Sequence, residues 1–150
     1  MSFTAPQGTY GARQPGTAMT WVNRGIMRRA RSGGTTMGMR LLVLTVPGRT
    51  SGEPRSTPVA WFPGEDDSWV VVASANGAAR HPSWYHNVAA HPDDVTIEVE
   101  GATVPVSARE LHGDEREREW ARVVADAPRF GGYAAKTDRE LPVIRLTRRG

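Results

Sequence analysis

Runs of apolar residues in the middle of the chain are separated by short segments rich in glycine and proline. Residues 40–46 (RLLVLTV) are almost free of polar interruptions, which predicts a strand that is buried on both faces. Residues 94–100 (DVTIEVE) alternate strictly, so Val95, Ile97 and Val99 share one face of a strand. The same criteria predict four more strands, at residues 55–63, 69–74, 103–111 and 142–148.

Three segments have the 3.6-residue period of a helix, at residues 18–31, 83–92 and 113–127. The last is the most regular, and places Trp120 and Val123 on one apolar stripe. Strands and helices do not alternate as they would in a doubly wound fold. The pattern therefore predicts an α+β protein that is mainly β: a small antiparallel barrel or rolled sheet of about six strands with appended helices.

The composition is that of a single globular domain, with 150 residues of which 39% are hydrophobic and 23% charged. Cysteine is absent, which excludes disulfides, zinc thiolates and thiol nucleophiles. No apolar run approaches the roughly 20 residues that span a bilayer, and the N-terminus lacks the order of a secretory signal. We expect a cytoplasmic protein with a mobile arm and basic helix over 1–35 and one domain over 36–150.

Charge is distributed unevenly, because seven arginines precede the first acidic residue, Glu53. Several of them lie on the helix predicted at 18–31, opposite its apolar stripe. This helix is expected to cover part of the barrel, and it is also compatible with weak contact to a membrane surface. Nucleic-acid binding is not predicted, because no recognised reading motif accompanies the basic residues.

Residues 46–58 (VPGRTSGEPRSTP) are the first candidate site, a glycine-rich turn between two predicted strands. Gly48 and Gly52 permit a tight turn, while Arg49 and Arg55 are suited to gripping a phosphate or carboxylate. The segment matches neither a Walker motif nor a dinucleotide-binding fingerprint. Spacing alone leaves two interpretations, a plain hairpin turn and an anion site.

The second candidate is 74–85 (SANGAARHPSWY), where a loop of small residues precedes a helix with two aromatic side chains. Such a loop lets backbone N–H groups approach a flat ligand, although the aromatics are equally compatible with core packing. In the third, 129–141, Tyr133 is a candidate hydrogen-bond or proton donor within what otherwise reads as a flexible Gly-Gly loop. No metal site is predicted, because the histidines at 81, 86 and 91 are five residues apart and cannot share a helix face.

Three segments together indicate a family: LLVLTVPGRTSGEPRSTPVAWFP, VVVASANGAARHPSWYHNVAAHPD and KTDRELPVIRL. In this order and spacing they resemble the deazaflavin-dependent nitroreductase family, over about residues 38 to 148. Members of that family use coenzyme F420, an 8-hydroxy-5-deazaflavin. They share a split β-barrel with FMN-binding flavin reductases, and relatives of this barrel often form homodimers. The resemblance implies the same fold and coenzyme here.

The resemblance also implies roles for individual residues. The segment that would hold the coenzyme's phosphate and acidic tail comprises Gly48, Arg49, Thr50, Ser51, Gly52 and Arg55. The residues that would lie beside or at the edge of the ring are Thr57, Pro58, Ser74, Ala75, Asn76 and Gly77. Those that would complete the pocket are Arg80, Pro82, Trp84 and Tyr85. Ser74, through its loop's N–H groups, and Tyr133, as a proton donor alternative to solvent, would serve catalysis.

The activity implied is hydride transfer from reduced F420 to an electron-poor small molecule such as a quinone, a nitro compound or an activated alkene. Relatives that reduce nitroimidazoles carry several tyrosines over the substrate, whereas this chain retains only Tyr133 there, beside Ala127 and Phe130. That departure disfavours nitroimidazoles and favours a quinone or another activated acceptor. Two alternatives stay open, an FMN-binding flavin reductase or oxidase and a non-catalytic deazaflavin carrier.

Overall fold

The computed structural model describes residues 3–11, 35–36, 39–74 and 77–149, and places eight strands of these residues in one antiparallel sheet. The strands are β1 (Thr35–Thr36), β2 (Met39–Pro47), β3 (Pro54–Ala60), β4 (Phe62–Pro63), β5 (Trp69–Val72), β6 (Val95–Val99), β7 (Ala102–Glu110) and β8 (Val143–Arg148). The described helices are α1 (Ser83–Ala90), α2 (Gly113–Asp126) and α3 (Arg129–Ala135), with one 3-10 turn at Glu65–Asp67.

The sheet confirms the predicted mainly β, α+β class with antiparallel strands. Eight strands stand where about six were predicted, for two reasons. The strand predicted at 55–63 is interrupted at Trp61, which separates β3 from β4, and the short β1 was not predicted. The path of the sheet runs β1-β2-β6-β7-β8-β5-β4, while β3 pairs with β2. Strands β2 and β3 thus form a hairpin whose connection is residues 48–53.

Strand β2 is buried on both faces, as its apolar run predicts. Leu42 and Leu44 belong to the main core inside the sheet, whereas Leu41 and Val43 pack on the opposite side. This division follows from the period of two in a strand, which sends successive side chains to opposite faces. Burial on both faces holds strand β2 in place, and with it the start of the turn that follows.

A second core lies between the sheet and helices α2 and α3, and includes Val123, Phe130 and Leu141. The Gly-Gly segment that the sequence presented as a flexible loop is in fact part of α3. The helix is held because Phe130 is only 5% exposed and packs edge-on against Phe62 at 5.6 Å between ring centroids. Tertiary burial thus overrides the weak helical propensity of two glycines.

Residues 3–11 lie against the body of the protein. The amide of Thr4 donates to Glu110 Oε2 at 3.0 Å, that of Gly8 to the Ala79 carbonyl at 2.7 Å, and that of Thr9 to Asp138 Oδ1 at 2.7 Å. The expectation of a mobile arm did not anticipate these contacts, because their partners are distant in sequence.

The basic helix predicted at 18–31 lies outside the described residues. Within the part of the chain that is described, each helix is too short or too polar to cross a bilayer.

Candidate functional site

A polar cleft opens between the β2–β3 turn and helix α1, with a cavity volume of about 630 Å³. It is lined by Gly48, Arg49, Thr50, Ser51, Arg55, Ser56, Thr57, Pro82, Ser83, Trp84 and Asn87. Two separate parts of the chain, 48–57 and 82–87, therefore form its walls. Both contain residues that the sequence predicted for one binding site.

The turn itself is closed by its own backbone. The Gly48 amide donates to the Glu53 carbonyl at 2.8 Å, and the Gly52 amide donates to the Gly48 carbonyl at 2.9 Å. Gly52 is exposed at φ 74°, a conformation that favours glycine. Because these amides are used within the turn, the side chains rather than a full set of backbone N–H groups supply donors to the cleft.

Arg49 is anchored by Asn87, a residue that the sequence-based site omitted. The Asn87 Oδ1 atom accepts from the Arg49 backbone amide at 3.1 Å and from Arg49 Nη1 at 3.2 Å. Asn87 lies on α1 and is 7% exposed. The sequence did contain a signal for this contact. The side-chain amide of Asn87 lies inside the short predicted helix, next to Val88 on its buried side.

Two cations are among the residues that line the cleft. Arg49 and Arg55 are both exposed, and Arg55 Nη2 lies 3.5 Å from Ser51 Oγ. A Cβ atom at position 48 would lie 3.0 Å from Ser51 Oγ and 3.4 Å from Arg55 Nε, so glycine permits this approach. Guanidinium and hydroxyl donors in this arrangement fit a phosphate or carboxylate.

His86 on α1 lies close enough to Arg49 to be affected by its charge. Burial lowers the pKa of His86, and the nearby charge of Arg49 lowers it further. The imidazole is therefore kept neutral, and the cleft keeps the two exposed arginines as its principal cations.

A second, mainly apolar cavity of about 230 Å³ adjoins the cleft. It is lined by Met39, Leu41, Pro58, Val59, Ala60, Val72, Ser74, Pro82, Trp84, Phe130 and Tyr133. Pro82 and Trp84 line both cavities. Of the neighbouring strand residues, Thr57 lines the polar cleft and Pro58 lines the apolar cavity. The two cavities therefore adjoin at Pro82 and Trp84, and we refer to the pair as the groove, with the polar cleft as its cationic end and the second cavity as its apolar end.

Helix α3 is packed closely against the loop that contains Ser74. Gly77 has φ 83°, and a Cβ atom there would lie only 2.6 Å from the Tyr133 carbonyl oxygen. The Tyr133 ring packs edge-on against Phe130 at 5.4 Å. Glycine at 77 thus allows the loop and Tyr133 to share the apolar cavity.

The structure separates some predicted residues from this groove. Tyr85 is 3% exposed in the main core, and its hydroxyl donates to Glu110 Oε1 at 2.6 Å. Burial and this carboxylate raise the pKa of Tyr85. Arg80 and Gly52 are exposed and line neither cavity among the described residues. Ala75 and Asn76 lie outside the described residues.

In residues 3–11, 35–36, 39–74 and 77–149, no group of three or more His, Asp or Glu side chains is arranged to hold a metal ion.

Comparisons with known proteins place this chain among coenzyme-dependent reductases and identify the coenzyme. The model of the F420H(2)-dependent quinone reductase family matches residues 19–148. An F420H(2)-dependent quinone reductase of Mycobacterium tuberculosis is 36% identical over 111 residues, covering 72% of this chain and 73% of that protein. The chain belongs to the F420H(2)-dependent quinone reductase family.

Solved structures agree with this assignment. The structure of an F420-H2-dependent reductase is similar with a TM-score of 0.64 and 37% identity, over 71% of this chain and 92% of that one. A second, described as a domain-swapped dimer, has a TM-score of 0.65 and 32% identity, over 87% and 99% of the two chains. The predicted F420-dependent reductase and its coenzyme are confirmed. The nitroreductase part of the predicted family name is not, since the matching family is that of the quinone reductases.

Proposed function

We propose that this enzyme transfers a hydride from reduced coenzyme F420 to a quinone. The observation that carries the proposal is that a cationic cavity and an apolar cavity adjoin at Pro82 and Trp84. F420 has a matching division, with a polyanionic tail and a flat ring. Membership of the quinone reductase family supports the choice of acceptor.

The tail would lie in the polar cleft. Arg49 and Arg55 would pair with its phosphate and carboxylates, and the hydroxyls of Thr50 and Ser51 would add hydrogen bonds. Asn87 holds the Arg49 backbone and Nη1, so this cation is positioned before the ligand arrives. A site organised in advance loses less conformational entropy on binding.

The ring would lie along the apolar cavity, against Pro58 and Trp84. When bound, the reduced coenzyme supplies the hydride, and the protein supplies orientation and exclusion of water. The apolar lining from Met39, Leu41 and Phe130 lowers the local dielectric and would favour a hydrophobic acceptor. The backbone N–H of Ser74 would stabilise developing charge.

Tyr133 would donate the proton that accompanies the hydride, with solvent as the alternative source. A quinone that gains one hydride and one proton becomes a hydroquinone, so the reaction balances. Ser74 and Tyr133 carry the hydroxyls that line the apolar cavity within the described residues. One tyrosine in this position agrees with a quinone acceptor, and nitro compounds and activated alkenes are the further acceptors to compare.

The test is titration of the purified protein with F420, followed by turnover of the reduced coenzyme with a soluble quinone. We expect micromolar binding and quinone-dependent oxidation that exceeds the rate with a nitroimidazole. Absence of binding in that range would reject the proposal. Binding without turnover on quinones, nitro compounds and alkenes would indicate a carrier, and a purified protein that retains FMN would indicate a flavin enzyme.

A homodimer is a further part of the proposal, supported by the similar chain that is described as a domain-swapped dimer. A cytoplasmic location, the division of the chain at residue 35 and weak membrane contact through 18–31 stay predictions from the sequence.

A further inference from the structure

Arg139 is a buried cation whose hydrogen-bond acceptors are all neutral. It is 4% exposed, in the segment between α3 and β8. Its Nε atom donates to the Ala78 carbonyl at 3.0 Å, Nη1 to the Ala73 carbonyl at 2.9 Å, and Nη2 to the Ser74 carbonyl at 2.8 Å. Buried arginines usually pair with carboxylates, so this use of a guanidinium to gather three carbonyls of one loop calls for a specific explanation.

His81 completes the arrangement. Its Nδ1 atom lies 2.7 Å from Arg139 Nη1, and its Nε2 atom lies 2.8 Å from the Ala5 carbonyl oxygen. A guanidinium only donates, so Nδ1 must accept, which leaves the proton on Nε2 for donation to Ala5. This fixes the neutral Nε2–H tautomer of His81. Burial and the Arg139 charge lower the pKa of His81, which agrees with that form.

The N-terminal segment closes the same site from outside. The Gln7 side chain accepts from the His81 amide at 2.6 Å, and its Nε2 atom lies 3.1 Å from His86 Nε2. Arg139 therefore holds the carbonyls of Ala73, Ser74 and Ala78 from the interior, and residues 5–7 hold His81 from the surface.

The Arg139 contacts also determine how the loop faces the groove. The carbonyls of Ala73 and Ser74 point to the guanidinium, and the Ser74 carbonyl accepts from the Gly77 amide as well, at 2.8 Å. In a trans peptide the N–H points opposite to the carbonyl, so the Ser74 amide points away from Arg139. Ser74 itself lines the apolar cavity.

We propose that Arg139, braced by His81, is a positioning residue that presents Ser74 and its loop to the coenzyme ring for hydride transfer. The inference rests on the proposed function of the groove. Arg139 acts on the loop backbone and not on the tail, whose cations Arg49 and Arg55 are separate. Loss of the Arg139 guanidinium therefore disturbs the orientation of the ring, and lowers the rate of hydride transfer more than it lowers the affinity for the coenzyme.

The test compares Arg139→Lys with Arg145→Lys. Lysine keeps the charge but cannot reach three carbonyls and an imidazole at once. Arg145 is a matched control, since it is also largely buried but pairs with Glu115 and Glu119 of α2 instead of the loop. For Arg139→Lys we expect kcat with the quinone to fall about 100-fold, with the Kd for F420 changed less than about threefold. In the coenzyme-free protein, hydrogen exchange at 73–78 should accelerate while the β2 and β6 amides stay protected.

Arg145→Lys should leave kcat and exchange at 73–78 near their wild-type values. The inference is overturned if Arg139→Lys turns over like the wild type, or if both variants lose kcat equally. Failure of the wild-type protein to bind F420 is a different result, which removes the proposed function itself.

A second pair of variants decides the matter if Arg139→Lys does not fold. His81→Asn retains an acceptor at the position of Nδ1 for Arg139, whereas His81→Leu retains none. We expect His81→Asn to recover most of the kcat that His81→Leu loses. Equal kcat for the two variants would contradict the inference that His81 holds Arg139 in position.

Discussion

The arginines at the two ends of the groove have opposite environments. Arg49 and Arg55 are exposed beside the polar cleft, whereas Arg139 is 4% exposed and bonded to carbonyls beside the apolar cavity. Arg139 loses hydration to such an extent that burial lowers its pKa to about 10. The exposed pair keep water as their alternative partner and can exchange it for an anion.

This difference in exposure gives the two sets of arginines different roles, ligand binding for the exposed pair and organisation of the backbone for the buried one. An exposed guanidinium can give hydrogen bonds to a ligand with little consequence for folding. A buried guanidinium must satisfy its donors within the protein, and in doing so it determines the backbone conformation around it. The same residue type therefore binds the ligand at one end of the groove and shapes the backbone at the other.

The largest expected effect tests the buried side of this comparison. Replacement Arg139→Met removes the donors to the Ala73, Ser74 and Ala78 carbonyls, and should lower the free energy of unfolding by about 3 kcal/mol at about 1 kcal/mol for each carbonyl. Arg49→Ala should change it by no more than about 0.5 kcal/mol, as is usual for surface positions. Urea denaturation of both variants measures the two values, and similar losses would break the comparison.

The next effect concerns the exposed side. The double variant Arg49→Ala/Arg55→Ala should raise the Kd for F420 at least about tenfold, because two charge-assisted contacts are lost. The loss should be larger at low than at high ionic strength, since salt screens exposed charges.

The matched control is Arg118→Ala/Arg148→Ala, which removes the same charge from α2 and the end of β8. Neither residue lines the groove among the described residues. Fluorescence titration of both doubles at two salt concentrations distinguishes local contacts from net charge. An equal rise of Kd in the two doubles would show that only net charge matters.

The smallest expected effect is the pH dependence of stability. Burial holds the pKa values of His81 and His86 below their ordinary value of 6.5. At pH values between the folded-state and unfolded-state pKa, the unfolded chain binds more protons than the folded protein. The stability that the two neutral histidines contribute is therefore complete above pH 6.5 and is lost as the pH falls through their folded-state pKa values. Arg139, Tyr85 and the carbonyl of Ala5 face His81, and Arg49 and Gln7 face His86.

Chemical denaturation between pH 7 and 5 measures this slope. The double variant His81→Asn/His86→Asn should flatten it. A decline of stability that persists unchanged in the double variant would assign the effect to other groups.

A further loss of stability is expected below pH 4.5, because hydrogen bonds from Arg109 and Arg145 lower the pKa of Glu115 to about 2.

Much of the fold could be predicted because its strands have local signatures. The alternation of Val95, Ile97 and Val99 corresponds to β6, and the apolar run at 40–46 corresponds to β2 buried on both faces. Prediction was wrong where burial overrides local preference. The Gly-Gly segment is helical because Phe130 is fixed in the second core.

The candidate site was predicted in part. Most of 48–57 and Pro82, Trp84, Ser74 and Tyr133 line the groove, but Tyr85 turns into the core toward Glu110. Trp84 and Tyr85 are adjacent and both aromatic, so the sequence contains little to show which one faces the ligand. Their direction depends on how α1 is rotated against the sheet.

The sequence alone determined the strand pattern, the turn at 48–53 and the family, because each rests on residues that are near one another along the chain. Only the tertiary structure showed that Asn87 holds Arg49, that Arg139 binds the carbonyls of Ala73, Ser74 and Ala78, and that residues 5–7 contact His81. The physical reason is that every backbone carbonyl is an equivalent acceptor in a sequence. Which of them a buried donor meets is decided by packing between segments that are distant along the chain.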